Sequence, residues 1–278
     1  MTSTSPDPGL VARLRVAGCV FAEDEAALLE GEPVSAQERE AMVVRRLAGE
    51  PLELILGWAE FDGLRIKVAP GVFVPRQRSK LLVNLASCAA KRALQRTPGS
   101  TPRVVDVGCG TGALGAAIAA CVPDAEVWAT DIDPAAVECA RRNLASEGGL
   151  DKLDHRSPRV LLGDLFDPLP RDLAFDVIVA NAPYVPSDQI QNMPPEARDH
   201  EHHVALDGGA DGLDIQRRVI EQAPKHLAPG GVLIIETGQE QAPVTASLMR
   251  EQGLVTEIHH DEDLYATAVT GLKSEASL

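Results

Sequence analysis

The run "VVDVGCGTGALGAAIAA" (104–120) constrains this chain most. An apolar stretch of strand character meets three glycines at alternate positions, Gly108, Gly110 and Gly112, and then an Ala-rich stretch of helical character. Such a junction needs backbone that turns sharply and carries no Cβ where a ligand or a helix comes close. The spacing alone is weak evidence, because a tight strand-to-helix turn without a ligand would use the same glycines. The surrounding rhythm adds more. Strands are expected at 103–107, 126–130, 159–162, 175–180 and 231–236, with helices between most of them, so the fold class is α/β with a mostly parallel, Rossmann-like sheet. "LVTEIHH" and "YATAVTGL" then read as a closing antiparallel pair joined through the acidic turn "DEDLY" (261–265).

Upstream of the sheet, helical spacing appears at Leu10, Val11 and Leu14 and again at Ala26, Leu28 and Leu29. Ser35 followed by Glu38 has the form of a capping box, and Gly49 is a natural stop for the helix it starts. Next, "WAEFDGLRIKVAPGVFVP" alternates Phe61, Leu64, Ile66 and Val68 about Asp62-Gly63, a strong hairpin signal. The expected organisation is a small helical domain at 1–57, a linking β-hairpin at 58–78 and an α/β domain at 79–278.

With 278 residues, 45% of them hydrophobic, the chain can bury a full core. A net charge of −15 opposes sequence-independent attraction to phosphate backbones, which uses clustered Lys and Arg. Five cysteines without a CxxC pair read as thiols in a reducing compartment. No signal-like start and no long apolar run is present, so a soluble cytoplasmic protein without membrane contact is expected.

The tips of the predicted strands define a nucleoside site. Asp131 ends the second strand about 20 residues beyond the glycines, where a carboxylate can accept from ribose hydroxyls. Gly163-Asp164-Leu165 ends the third, offering an acceptor for an amine and an apolar wall for a flat ring. Asp106, two residues before the first glycine, suits a ligand bearing an ammonium and is poorly placed beside a pyrophosphate. S-adenosyl-L-methionine fits that electrostatics better than a dinucleotide.

The strand "FDVIVA" delivers Asn181-Ala182-Pro183-Tyr184 to the same edge. Asn181 offers a carbonyl acceptor for an N–H. Ala182, held extended by the following proline, can aim its backbone carbonyl at a second N–H, and Tyr184 can stack on a planar group. Two acceptors on a flat NH2 hold its nitrogen in line with a methyl donor, and that positioning supplies much of the rate.

These stretches resemble the HemK-type protein N5-glutamine methyltransferases, which modify the glutamine of the Gly-Gly-Gln loop in peptide-chain release factors. The likeness spans residues 10–272 and is carried by "GEPLELILGWAEFDGLRIKVAPGVFVPR" (49–76), "VVDVGCGTGALGAAIA" (104–119), "ATDIDPAAVECARRN" (129–143), "NAPYVP" (181–186) and "MPPEARDHEHHVALDGGADGLDIQRRVI" (193–220). It implies a class I S-adenosylmethionine-dependent N-methyltransferase. Its expected donor site comprises Asp106, Gly108, Cys109, Gly110, Thr111, Gly112, Asp131, Ile132, Asp164, Leu165 and Asn181; its catalytic set is Asn181, Ala182, Pro183 and Tyr184. The N-terminal helices would help dock a protein substrate, a release factor. The family pattern has proline at position 182 and Pro-Asp-Thr-Glu where this chain has Gln77-Arg78-Ser79-Lys80, departures that leave a divergent subgroup with a different acceptor as an alternative. Alternatives are another protein or small-molecule amide or amine, adenine N6 of a nucleic acid, or a donor-binding module without turnover. His200, His202 and His203 have no metal-ligand spacing and are expected on a loop covering the pocket, with no metal.

Overall fold

The computed structural model describes residues 5–97, 99–146, 159–193, 198 and 200–275. Four helices come first: α1 (Pro8–Val16), α2 (Ala22–Gly31), α3 (Ala36–Leu47) and α4 (Leu52–Leu56). The capping box forms at α3, where Ser35 accepts from the Glu38 amide and Glu38 accepts from that of Ser35. Leu10, Leu14, Ala22, Ala26, Leu29, Val43 and Ile55 pack into a core of their own. Arg46 lies nearly buried against Glu25 through a two-pronged ion pair, locking α2 to α3.

Gly57, in the left-handed region at φ 78°, ends α4 and turns the chain into β1 (Trp58–Phe61) and β2 (Leu64–Lys67). Asp62 and Gly63 both take positive φ between these strands, as a two-residue hairpin demands. Phe61 and Ile66 are wholly buried in the core of the large sheet, each contributing about 1.5–3 kcal/mol of apolar burial. Asn143, also buried, accepts from the Lys67 amide and donates to the Lys67 carbonyl. The hairpin is thereby fastened to the helix Pro134–Ser146.

After α5 (Lys80–Arg96) the expected alternation unfolds as β3 (Arg103–Val107), α6 (Ala113–Cys121), β4 (Glu126–Asp131), α7 (Pro134–Ser146), β5 (Arg159–Leu162), β6 (Phe175–Ala180), α8 (Asp214–His226), β7 (Leu227–Glu236), α9 (Ala242–Glu251), β8 (Leu254–Asp261) and β9 (Ala266–Lys273). The seven strands lie in the order β5-β4-β3-β6-β7-β9-β8, with antiparallel pairing confined to β7–β9 and β9–β8. Val104, Val127, Val177 and Ile234 face one core, with Leu82 of α5, Ile118 of α6 and Leu144 of α7. Val105, Ile178 and Leu233 face the other, with Val219 of α8 and Met249 of α9. Burial on both faces is why these strands read as continuous apolar runs.

β7 begins four residues earlier than the sequence suggests, because Pro229-Gly230-Gly231 has the composition of a turn. The strand accommodates them with a register shift opposite Phe175–Val177. Among the described residues no helix is long and apolar enough to cross a membrane.

Candidate active site

The strand order reverses direction between β3 and β6, the switch point where open α/β sheets leave a crevice at their carboxyl ends. A cavity of about 360 Å³ opens there, within the range of small-molecule sites. Its floor is the glycine loop. Gly108, Gly110 and Gly112 adopt φ of 71°, 53° and 76°, yet serve different ends. A Cβ on Gly112 would stand 2.9 Å from that of Ala140, so this glycine lets α6 and α7 approach. A Cβ on Gly108 or Gly110 would meet nothing within 4 Å, and both residues line the cavity.

Asp131 steadies the loop by accepting from the Gly110 amide at 2.8 Å and from the Asp133 amide at 2.9 Å. Burial raises its pKa, against those same amide bonds. Cys109 is buried and its thiol is pushed well up by that burial, which keeps it an uncharged part of the wall. Thr111 also lines the cavity, and its carbonyl accepts from Asn143. Ile132 exposes an aliphatic side chain at the lip. Asp164 is paired with Arg218, and both line the cavity beside Leu165. Leu165 holds φ at 46°, a strained choice for a branched residue, of the kind found where a site fixes a side chain.

Asp106 is placed differently from its neighbours. It lies wholly buried behind the loop and off the cavity wall. One oxygen accepts from the Gly115 amide, and the other has no hydrogen-bond partner among the described residues. Burial, reinforced by the charge of Asp131 and opposed by the Gly115 amide, pushes its pKa up to about 7. Raised from 3.8, the folded state binds the extra proton between the two values, so stability falls as pH rises from about 4 to about 7 and is level above. Unfolding of the wild type and of Asp106→Asn across that range should show the wild type losing stability relative to the variant. A constant gap would mean that the carboxyl is not held uncharged by burial.

Asn181 leaves the end of β6 and donates through Nδ2 to Ser79 Oγ at 3.0 Å. Ser79, at the start of α5, donates in turn to Glu236 Oε2 at 2.6 Å. Glu236 ends β7, is buried, and on its other oxygen accepts from Arg78 Nε and from the Tyr184 hydroxyl, both at 3.1 Å. Arg78 also lies over the Tyr184 ring at 5.7 Å. Burial, with help from the Glu236 charge, raises the Tyr184 pKa, so the hydroxyl stays a donor. Sequence reasoning missed Glu236, although its place at a strand's carboxyl end was a usable signal. It flagged 77–80 only as a departure; here Arg78 and Ser79 are wired to the centre of the site, and Gln77 donates to Glu60.

Backbone fit explains the glycine-rich stretch at 206–213. A Cβ on Gly208 would stand 2.7 Å from the Pro183 carbonyl, and one on Gly212 would overlap that of Tyr184. The Val185 amide donates to the Leu206 carbonyl, the Val185 carbonyl accepts from the Gly208 amide, and Gln241 donates to the Tyr184 carbonyl. After the histidines, Val204, Ala205 and Leu206 line the cavity, whereas His200, His202 and His203 themselves do not. Glu201 is buried and accepts from the Val74 amide and from Arg76, while His202 bonds Asp133 at 2.8 Å. Among the described residues no group of three potential ligands is placed to hold a metal. The Pro-Pro-Glu element at 194–196 lies outside the described residues.

The model of the methyltransferase small domain matches residues 63–199. A release factor glutamine methyltransferase of Gloeobacter violaceus is 40% identical over 220 residues, which cover 77% of this chain and 71% of the relative. One of Bradyrhizobium diazoefficiens is 36% identical over 275 residues, covering 92% and 89%. A solved methyltransferase from Pyrococcus furiosus superposes with a TM-score of 0.51 at 17% identity, over 86% of this chain and 99% of that one, and shares the fold.

Proposed function

We propose that this chain, which belongs to the release factor glutamine methyltransferase family, transfers a methyl group from S-adenosyl-L-methionine to the side-chain amide nitrogen of a glutamine in a release factor. The observation that carries the reading is the cavity shared by the glycine loop and the Asn181–Tyr184 tetrapeptide, which puts a nucleoside cradle and a planar-amide clamp in one chamber.

The residues fit the donor. Gly108 and Gly110 leave open space where side chains would stand, and Asp131 retains acceptor capacity toward ribose hydroxyls. Ile132 and Leu165 offer apolar faces for the adenine, and Asp164, oriented by Arg218, an acceptor for its amine. Asp106, buried behind the loop and off the cavity wall, makes no direct contact with the ammonium; its unpartnered oxygen is left to hold a bridging water beneath the loop. When bound, the donor supplies an electrophilic methyl on a sulfonium.

The protein's task is then to make an amide nitrogen nucleophilic enough. Its lone pair is delocalised into the carbonyl, and acceptors on both hydrogens favour a more pyramidal nitrogen with that pair directed at the methyl. Asn181 Oδ1 and the Ala182 carbonyl take those roles, and the Tyr184 ring flanks the amide plane. The acceptor nitrogen gains a methyl and loses one proton to solvent. Replacement of the family's proline by Ala182 keeps the carbonyl. We assign the helices within 1–57 to docking of the protein substrate, the hairpin segment 58–78 to their attachment, and 79–278 to catalysis.

The test is transfer of labelled methyl to a purified release factor, run beside single- and double-stranded nucleic acid. Label on the protein alone supports the reading; label on nucleic acid alone would replace it with adenine methylation.

A further inference from the structure

We infer that Glu236, acting through Ser79, is a positioning residue that fixes which end of the Asn181 amide faces the acceptor. The inference rests on the acceptor role proposed for Asn181. Asn can present either a carbonyl oxygen or an NH2, and the two differ only by a flip about the last side-chain bond. An NH2 aimed at the substrate would meet the amide's own hydrogens, donor against donor. The fold must therefore choose.

The choice follows from counting protons. Glu236 is a carboxylate and only accepts. Ser79 has a single hydroxyl hydrogen, and the 2.6 Å contact commits it to Glu236 Oε2. The remaining capacity of Ser79 Oγ is acceptor capacity, so the group 3.0 Å away on Asn181 must be the NH2. Oδ1 is then the end left for the cavity. Glu236 cannot turn away, because Arg78 and Tyr184 both donate to its other oxygen. All three anchors sit at element ends, Ser79 at the start of α5, Asn181 after β6 and Glu236 at the end of β7, and Ser79 and Glu236 are buried.

Glu236→Gln removes the obligation on the serine proton. A glutamine NH2 turned to Ser79 donates to it, and the hydroxyl is released to donate to Asn181 Oδ1, leaving NH2 toward the acceptor. Ser79→Ala removes the relay altogether. The readout is acceptor preference rather than activity alone: binding of a Gly-Gly-Gln peptide and of its Gly-Gly-Glu counterpart, measured with S-adenosylhomocysteine bound. The wild type should prefer the glutamine peptide, since an oxygen facing the acceptor repels a carboxylate. In Glu236→Gln and Ser79→Ala that preference should shrink by about tenfold or invert, the scale of one hydrogen bond, and Ser79→Thr should recover most of it. A preference unchanged in folded Glu236→Gln overturns the inference. A neutron structure of the wild type checks the proton directly, whatever the acceptor: hydrogen between Ser79 and Glu236 is expected, and hydrogen pointing from Ser79 to Asn181 overturns the inference. Wild type that binds neither peptide would count against the glutamine reading, with the neutron result still deciding the relay.

Discussion

Asn181→Ala should lower kcat for methyl transfer by about 10²–10³-fold, the scale found when one preorganised polar group at a reacting centre is removed. The change deletes the acceptor assigned to one substrate hydrogen and leaves Ser79 Oγ without the NH2 it accepts from. Asn181 follows a strand whose last residues are fully buried, so the backbone should hold its course and the Ala182 carbonyl its aim. Donor affinity, which we assign mainly to the glycine loop and Asp131, should fall only several-fold. Single-turnover rates together with donor titration separate the two effects. A loss of donor binding as large as the loss of rate would move Asn181 from the acceptor side to the donor side.

Gly110→Ala should produce the opposite pattern, with donor affinity lost and the fold largely kept. The position has φ of 53°, where a Cβ costs about 1–2 kcal/mol. That methyl meets no protein atom within 4 Å, at a position that lines the cavity where we place the donor. Donor binding should weaken by about 100-fold or more, whereas thermal unfolding of the free protein should shift only by the conformational cost. Gly112→Ala is the internal comparison. Its Cβ would press on the backbone and side chain of Ala140, so stability should fall by more than at Gly110. Equal donor affinity in wild type and Gly110→Ala, by calorimetric titration, would place the nucleoside elsewhere.

The two patterns differ because the loop and the tetrapeptide reach the cavity from opposite sides of the switch point between β3 and β6. That arrangement was legible in the sequence because its signals are local. Glycines after an apolar run, an acidic residue at a strand tip and a proline fixing the residue before it each act over a few positions. The Ser79 relay was not legible in this way. Its hydrogen bonds join residues 102 and 157 positions apart, and only the β3-β6-β7 order with α5 packed across it brings them together. Asp106 shows the limit from another side. Spacing marks a carboxylate near the glycines, but its depth depends on how α6 covers the strand, and that places it behind the wall. The glycines at 208, 209 and 212 were visible as part of a resemblance, and their physical reason, close approach to the carbonyls of Pro183 and Tyr184 at positions 208 and 212, needed the fold.

Methylation of a glutamine amide in this chamber is tested by fragmentation mass spectrometry of a release factor after incubation with the protein and S-adenosyl-L-methionine carrying a labelled methyl. The expected result is one labelled methyl on the side-chain nitrogen of the glutamine in the Gly-Gly-Gln loop, absent when Asn181→Ala replaces the wild type. An unmodified release factor alongside demonstrable donor binding, or a methyl mapped to a lysine, an arginine or a backbone terminus, would contradict it.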